Sequence, residues 1–330
     1  FIQLLNRHHN TNYSERFWQI LIGPWFRIML RDLFYYINSL EYCLSSHEIS
    51  GTTGYDSNKT FFISDTKDMI EFFNDHSNLN ALYTRILSLL GNKNFSTDLI
   101  PLENKNTHKS FKLKAEKNKS KQFYKNILKL SFNFYSTISK KFIRDEDAFI
   151  INTFLPTEKE VLLEMALGQF PQFWKYKWTQ NSNYELIKKL PDNLTRENLK
   201  KRFLDNSCQN LENIMRHLLF ELLPVCYLEG FSDLLENVNK QSWPKFPKFI
   251  FTSNNFYFDE VFKLYTALNV DSGRKYYVGQ HGGNYGTQRY KSPRIEELTV
   301  DKFITWGWTD GMLQHTPGFI FKTAGKKKLN

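Results

Sequence analysis

Cysteine is scarce in this sequence, which has only Cys43, Cys208 and Cys226 among its 330 residues. The three lie far apart, and neither a CxxC pair nor a Cys/His metal-ligand spacing occurs. We therefore expect neither a disulfide framework nor a zinc site. Because thiols stay reduced in the cytoplasm, this cysteine usage fits a cytoplasmic protein.

The motifs of several enzyme classes are missing as well. The chain contains no GxxxxGK[ST], no GxGxxG, no GxSxG and no HExxH. A P-loop kinase, a dinucleotide-dependent oxidoreductase, an α/β hydrolase and a zincin protease are therefore poorly supported. No cofactor or metal is predicted from the motifs that remain.

Long apolar runs are also lacking. The most apolar stretch, residues 17–37, is interrupted by Gln19, Arg27, Arg31 and Asp32. A helical membrane span needs about 20 consecutive, predominantly apolar residues, so none is predicted here. No charged segment followed by a short apolar core marks a signal peptide.

Aromatic residues and positive charge, in contrast, are abundant. Hydrophobic residues make up 41% of the chain and aromatic residues 16%, which predicts a folded protein with a sizeable core. The net charge of +10 suits an anionic partner, such as nucleic acid, an anionic membrane surface or a phosphorylated sugar donor. Nine lysines fall between residues 105 and 129. A solvated linker or an exposed helix face explains this run at least as well as a binding site does.

The pattern of predicted elements indicates an α/β protein with a helix-rich N-terminal part and Rossmann-like parallel-sheet units. We predict a helical and α/β part at residues 1–91, a lysine-rich flexible segment at 92–121, a helical part at 122–240 and a Rossmann-like βαβ segment at 241–330. Ser14 is predicted to cap the first long helix. Pro24 is expected to break or kink that helix, and residues 60–64 are predicted to form a strand.

The last segment holds the clearest supersecondary pattern. Strands are predicted at residues 247–252 and 276–279, with a helix at 258–268 between them, and a further strand at 303–306. The right-handed crossover of a βαβ unit makes its two strands parallel, with their carboxyl ends at one edge of the sheet. The turn that starts at Ser253 and the loop that starts at Gln280 should therefore meet.

Candidate catalytic residues lie in and beside that βαβ unit. His281 can shuttle a proton or donate a hydrogen bond to a phosphate, because its unperturbed pKa lies near neutrality; the alternative is a glycine-rich turn in which it only packs. Asp259 and Glu260 can act as base or nucleophile, although acidic residues also belong in the first turn of a helix.

Candidate ligand-binding residues surround them. Arg289 and Lys291 can clamp a phosphate or a sugar carboxylate, and the glycine-rich loop offers backbone N–H groups to an anion. The predicted substrate-binding set is Ser253, Asn254, Gln280, Gly282, Gly283, Asn284, Arg289 and Lys291.

Four stretches together resemble a known family. They are NYSERFWQILIGPW at residues 12–25, FTSNN at 251–255 with DEVFK at 259–263, GQHGGNYG at 279–286 and DKFITWGW at 301–308. Their content and order are similar to transferases encoded in bacterial O-antigen and surface-carbohydrate clusters. Residues 42–240 match only in general character.

The resemblance implies a cytoplasmic glycosyltransferase of the GT-B kind, with two Rossmann-like halves that face a cleft. Such an enzyme takes a nucleotide-activated sugar as a substrate and adds the sugar to a lipid-linked or lipopolysaccharide acceptor. The basic surface would hold it peripherally at the anionic inner face of the cytoplasmic membrane.

More distant similarities point to transferases of CMP-activated Kdo-type acids and to CDP-polyol phosphotransferases. The first implies that Asp259 or Glu260 is a nucleophile or base, and that His281 with Arg289 holds the phosphate or carboxylate of the donor. The similarity to CDP-polyol phosphotransferases gives an alternative enzyme class. The alternative that is not an enzyme is a basic nucleic-acid-binding protein that uses residues 105–129.

One departure from the family concerns length. Its members continue past the Trp-Gly-Trp motif into a second, nucleotide-binding half, whereas this sequence ends at Asn330 and begins without methionine. We therefore expect a fragment that holds the acceptor half and part of the cleft, and such a fragment need not be active by itself.

Overall fold

The computed structural model of the chain describes residues 1–55, 61–91, 96–100, 135, 137–172, 174, 189–204, 210–282, 284–287 and 294–326. The chain forms two compact units. Unit 1 comprises Phe1–Lys105, Tyr184–Asn237 and Tyr257–Leu264, and unit 2 comprises Asn106–Asn183, Val238–Phe256 and Tyr265–Asn330. Each unit thus combines stretches that are distant in sequence, and the predicted four-part division stays a prediction. The lysine-rich run at 105–129 lies outside the described residues.

The helices and strands of unit 1 come mainly from the N-terminal third of the chain. They are α1 (Ile2–His9), α2 (Glu15–Ser46), β1 (Gly51–Tyr55), α3 (Thr66–Asn74), α4 (His76–Leu90), β2 (Ser96–Ile100), α6 (Asn193–Phe203) and α7 (Asn210–Glu221). β1 and β2 pair in parallel. The predicted cap of α2 is confirmed, because the Ser14 hydroxyl oxygen accepts a hydrogen bond from the Phe17 amide at 3.2 Å. In the part of the chain that the structure describes, no helix is both long and apolar enough to cross a membrane.

Two local predictions for this part of the chain are wrong. α2 continues through Pro24 without a break. Pro24 and Trp25 are buried, and the Trp25 indole donates to the Leu222 carbonyl oxygen at 3.2 Å, so tertiary packing offsets the helix bond that a proline removes. Residues 61–64 form no strand. Their extended backbone instead accepts hydrogen bonds from Val225 and Cys226, which lie in a 3₁₀ turn.

A buried charged network lies inside unit 1. The Lys263 ammonium, which is fully buried, donates to Glu260 Oε1 at 2.9 Å, Thr66 Oγ1 at 3.0 Å and the Tyr227 hydroxyl at 2.8 Å. The Tyr227 hydroxyl in turn lies 2.7 Å from Glu260 Oε2. A buried charge is tolerated only when it is paired and hydrogen-bonded, and this network supplies both conditions.

Unit 2 is built on a five-stranded parallel sheet. Its strands are β3 (Phe149–Ile151), β4 (Phe249–Thr252), β5 (Lys275–Gly279), β6 (Lys302–Thr305) and β7 (His315–Pro317), and they lie side by side in that order. All four pairings between neighbouring strands are parallel. The remaining described helices are α5 (Thr157–Ala166), α8 (Phe231–Asn239), α9 (Glu260–Asp271) and α10 (Ile295–Leu298).

The sheet confirms the α/β class and the predicted βαβ unit. β4, α9 and β5 follow one another as expected, and Phe251 pairs with Tyr277 in the parallel register. One apolar cluster on the sheet contains Ile150, Phe251 and Phe321, with Leu163 of α5 packed against it. The sheet edge that follows the strand ends is therefore supported by a packed core.

The Lys263 network generates a prediction about stability. We expect Lys263→Met to lower the free energy of unfolding by about 3–5 kcal/mol, because it leaves a buried carboxylate without its cation. The matched control is Lys67→Met, which removes an exposed lysine 3.9 Å from Glu71 and should change stability by less than about 0.5 kcal/mol. Urea denaturation measures both. Equal effects of the two substitutions would contradict the structural importance of the buried pair.

Candidate functional site

Three loops meet at the carboxyl edge of the sheet in unit 2. They follow β3, β4 and β5 and comprise residues 152–154, 253–255 and 280–282. The Ser253 amide donates to the Asn152 carbonyl oxygen at 3.1 Å, and the Ser253 hydroxyl donates to the Thr153 carbonyl oxygen at 3.0 Å. A Cβ placed on Gly279 would lie 2.7 Å from Ser253 Oγ, so the end of β5 approaches the turn as closely as a glycine permits. The predicted meeting of these two loops is confirmed by this contact.

The loop after β3 has an unusual backbone. Asn152 and Phe154 adopt φ angles of 50° and 62°, which place both in the left-handed region. A bulky side chain rarely adopts that conformation, and such strain is commonly stored at functional sites. The Asn152 side-chain Nδ2 donates to Asn255 Oδ1, and the Thr153 hydroxyl donates to Glu160 Oε2. These bonds hold the loop in its strained form.

His281 lies among three aromatic rings. The centroid of its ring is 6.2 Å from that of Phe154, with 14° between the planes, 5.8 Å from that of Phe256 and 5.7 Å from that of Tyr285. His281 Nδ1 is buried, and no hydrogen-bond partner for it exists among the residues that the structure describes. The imidazole is thus held by ring contacts, and its Nδ1 is a buried nitrogen without a hydrogen bond among the described residues.

Two cations lie behind these rings. Lys322 Nζ is 4.8 Å from the centroid of Phe154, and Arg294 Cζ is 3.9 Å from the centroid of Tyr285. Burial lowers the pKa of His281 below its ordinary value, and the charges of Arg294 and Lys322 lower it further. Positive neighbours and burial both disfavour the imidazolium, so His281 is neutral at neutral pH and can accept a proton.

Gln280 has a structural part in this site. Its Oε1 accepts hydrogen bonds from the Trp306 amide at 2.9 Å and the Trp308 indole at 2.8 Å, and its Nε2 donates to the Gly282 carbonyl oxygen at 3.1 Å. The side chain is buried. It joins the end of β5 to the segment after β6 and fixes the loop that carries His281.

Comparison with protein-family models matches the whole chain, residues 1–330, to a family described as LIC12162 family transferase. The chain belongs to the LIC12162 family of transferases. Neither the curated proteins nor the solved structures contain a match to it. The expectation of a transferase is confirmed at this level, while the sugar donor, the acceptor and the GT-B arrangement stay proposals.

The predicted catalytic carboxylates of this LIC12162 family transferase lie in unit 1. Glu260 is buried, and both of its carboxylate oxygens accept hydrogen bonds within the Lys263 network. Asp259 precedes α9, and its Oδ1 accepts a hydrogen bond from the Phe262 amide at 3.2 Å. These contacts favour the alternative, in which the acidic pair starts and anchors a helix.

The predicted binding residues of the LIC12162 family transferase fall into three groups. Ser253 is buried and bonded to Thr153, whereas Asn254 is exposed at the turn. Gly282 is partly exposed, and Asn284 is exposed with a φ of 70°. Gly283, Arg289 and Lys291 lie outside the described residues. No group of three metal-ligating side chains occurs within the described ranges.

Sequence reasoning missed five residues beside His281. They are Phe154, Phe256, Tyr285, Arg294 and Lys322. β3 ends at Ile151, so residues 152–154 form a third loop at the sheet edge, and no motif in the sequence marks Phe154 as part of it. No sequence pattern connects Lys322 with His281, because β6 and β7 separate them along the chain.

We expect Gln280→Ala to lower the stability of the transferase by roughly 2–4 kcal/mol, because each unpaired buried donor costs about 1–3 kcal/mol. The two donors are the Trp306 amide and the Trp308 indole. Chemical denaturation followed by tryptophan fluorescence measures the loss, and Asn254→Ala is the control on the neighbouring exposed turn. Unchanged stability in Gln280→Ala would show that this clamp is dispensable.

A second prediction concerns the titration of His281. Its pKa, measured by NMR on histidine-labelled protein, should lie below the ordinary value of 6.5. Arg294→Gln should raise that pKa, because it removes a charge that disfavours the imidazolium. His281→Gln assigns the resonance, and Lys248→Gln should leave the pKa unchanged. A His281 pKa at or above 6.5 in the unaltered protein would contradict the proposed environment.

Proposed function

We propose that this LIC12162 family transferase is a glycosyltransferase of surface-carbohydrate assembly. It transfers a sugar from a nucleotide-activated donor, such as a CMP-Kdo-type acid, to a lipid-linked or lipopolysaccharide acceptor. The observation that supports this proposal is the arrangement of His281, Arg294 and Lys322 at the carboxyl edge of a parallel sheet. Open α/β sheets bind their ligands at that edge, and two cations suit the phosphate of a nucleotide donor.

His281 is assigned the proton transfer. In the proposed reaction, the acceptor hydroxyl oxygen attacks the anomeric carbon, the bond from that carbon to the donor phosphate oxygen breaks, and the nucleotide leaves with its negative charge. The hydroxyl proton passes to the imidazole, which is neutral because burial and nearby cations hold its pKa low. A positioned base of this kind contributes typically 10²- to 10⁴-fold, roughly, to the rate.

The remaining parts of the proposal concern architecture and location. The five strands of unit 2 are parallel and lie in the order of the chain, without the reversal of strand order in a Rossmann sheet, so the parallel sheet alone supports one half of a GT-B enzyme. Unit 1 has a two-stranded parallel sheet within the described ranges, and the GT-B arrangement as a whole belongs to the proposal. We place the enzyme in the cytoplasm, with its basic surface at the anionic inner face of the membrane.

Thermal-shift measurements on the full chain test the donor class. A CMP-, UDP- or GDP-sugar should raise the melting temperature, because a ligand that binds the folded state stabilises it. CDP-glycerol is included, since stabilisation by it alone would favour the CDP-polyol phosphotransferase. Stabilisation by duplex or single-stranded nucleic acid, with a steep salt dependence and no response to nucleotide sugars, would replace both enzyme proposals.

Substitution of His281 tests the mechanism with the stabilising donor. His281→Ala should reduce turnover by about 10²-fold or more and leave the melting temperature of the free protein nearly unchanged. His8→Ala, at an exposed histidine of unit 1, is the matched control and should keep full turnover. Turnover of His281→Ala equal to that of the unaltered protein would remove this residue from the mechanism.

A further inference from the structure

A second histidine of unit 2, His315, is the first residue of β7, and its side chain is fully buried. Three of its contacts lead by separate routes to residues beside His281. We propose that His315 is a positioning residue of the candidate site, which acts on His281 through these neighbours. The statement that His281 is the base to be positioned rests on the proposed function, whereas the contacts of His315 do not.

The first route runs through Trp308. The centroid of the His315 ring lies 5.1 Å from that of the Trp308 indole, with 84° between the planes, which is the edge-to-face packing that aromatic rings favour. The indole donates to Gln280 Oε1 at 2.8 Å, and a Cβ placed on Gly286 would lie 3.0 Å from its ring atoms. His315 therefore supports an indole that contacts residues both before and after His281.

The second route is a series of packed rings. His315 lies opposite Phe303 in the parallel register of β6 and β7, with 5.6 Å between the ring centroids. The Phe303 centroid is 5.1 Å from that of Tyr285, which in turn is 5.7 Å from that of His281. Phe303 and Tyr285 are both buried. Because a close-packed interior transmits changes of volume, loss of the His315 ring should be felt at His281.

The third route runs through Glu297, whose side chain is also fully buried. His315 Nε2 lies 3.7 Å from Glu297 Oε1, and Glu297 Oε2 accepts a hydrogen bond from the Arg294 amide at 2.8 Å. The charge of Arg294 is one of the two that lower the pKa of His281. A carboxylate beside His315 thus fixes the backbone from which that charge acts on His281.

Asp310 contacts the imidazole from the loop between β6 and β7. Its Oδ1 lies 2.7 Å from His315 Nδ1 and accepts a hydrogen bond from the Met312 amide at 3.2 Å. Neither imidazole nitrogen makes an aligned hydrogen bond to a residue that the structure describes. The two carboxylates therefore locate the imidazole by proximity, and the rings of Trp308 and Phe303 fix its orientation.

Selective NMR labelling of the full chain provides two readouts. Labelled tryptophan reports hydrogen exchange of the Trp308 indole N–H, which Trp308→Phe assigns, and labelled histidine reports the pKa of His281. We expect His315→Ala to speed exchange of this indole by about tenfold or more, because local opening governs exchange. The pKa of His281 should rise, because the cation of Arg294 is then held less closely.

These readouts distinguish positioning from a purely structural role. A purely structural His315 would lower the melting temperature of His315→Ala and leave both readouts of the folded protein unchanged. A value equal to that of the unaltered protein in either readout would overturn the positioning role.

His315→Phe separates the routes. It keeps a ring beside Trp308 and Phe303 and removes both nitrogens. Exchange of the Trp308 indole should therefore return towards that of the unaltered protein. The pKa of His281 should stay raised, since the contact with Glu297 is not restored. A His281 pKa equal to that of the unaltered protein would overturn the route through Glu297.

The matched control is His9→Ala. The His9 ring also packs against an indole, that of Trp18 at 6.0 Å between centroids, but it lies in unit 1. Its loss should lower stability and change neither readout. Equal changes in His9→Ala and His315→Ala would show only a general loosening of the chain and would overturn the proposal.

Asp310→Asn decides the matter where His315→Ala does not fold. It alters one contact of the imidazole at an exposed residue and keeps an oxygen for the Met312 amide. Exchange of the Trp308 indole should again be faster than in the unaltered protein. Unchanged exchange would overturn the proposal.

The positioning role and the proposed function can fail separately. In sugar transfer, His315→Ala should lower kcat by roughly tenfold or more, because misplacement of a catalytic group slows the chemical step, and should leave the KM for the donor nearly unchanged. Both NMR changes without transfer from any nucleotide sugar would sustain the role of His315 and remove the glycosyltransferase. Transfer with an unchanged kcat in His315→Ala would sustain the glycosyltransferase and remove the positioning role.

Discussion

The side chain of Gln280 supports the structural elements that form the candidate site. Its amide oxygen accepts hydrogen bonds from the Trp306 backbone N–H and the Trp308 indole N–H. Its amide nitrogen donates to the Gly282 carbonyl oxygen in the same loop. Neighbouring parallel strands bring their ends to one edge, but they do not fix the loops beyond those ends. The buried Gln280 amide links the loop after β5 to the segment after β6. The orientation of the loop that carries His281 therefore depends on hydrogen bonds made outside the sheet.

Buried ionisable groups are accommodated in two different ways in this chain. In unit 1 the Glu260 carboxylate is paired with the Lys263 ammonium and hydrogen-bonded on both oxygens. In unit 2 burial raises the pKa of Glu164 to about 8, and its Oε2 accepts from the Gln172 amide at 2.6 Å. The Glu260 carboxylate has a cationic partner, whereas burial favours the protonated form of Glu164. A carboxyl whose pKa is raised on folding costs stability at a pH above its unfolded value, so the burial of Glu164 lowers the stability of the fold at neutral pH.

Much of the fold of unit 2 follows from sequence patterns. The strands around α9 could be predicted because buried parallel strands are short apolar runs bounded by turn residues. The uninterrupted α2 could not, since the burial of Trp25 against a distant carbonyl is a tertiary effect. In the candidate site, His281 was predicted from its glycine-rich loop, and its role stays a prediction. Arg294 and Lys322 were not predicted, because only the order of the strands in the sheet brings these two residues, distant in sequence, near the imidazole.

A site for phosphate-linked transfer must satisfy two electrostatic requirements. The base must be neutral before reaction, and the charge on the leaving phosphate must be stabilised as it develops. In the proposed reaction the cations close to His281 would meet both requirements, because they lower its pKa and would attract a phosphate. Aromatic rings lie between the imidazole and each cation. The strained Phe154 is then understandable, since its ring holds His281 and Lys322 at the spacing on which both effects depend.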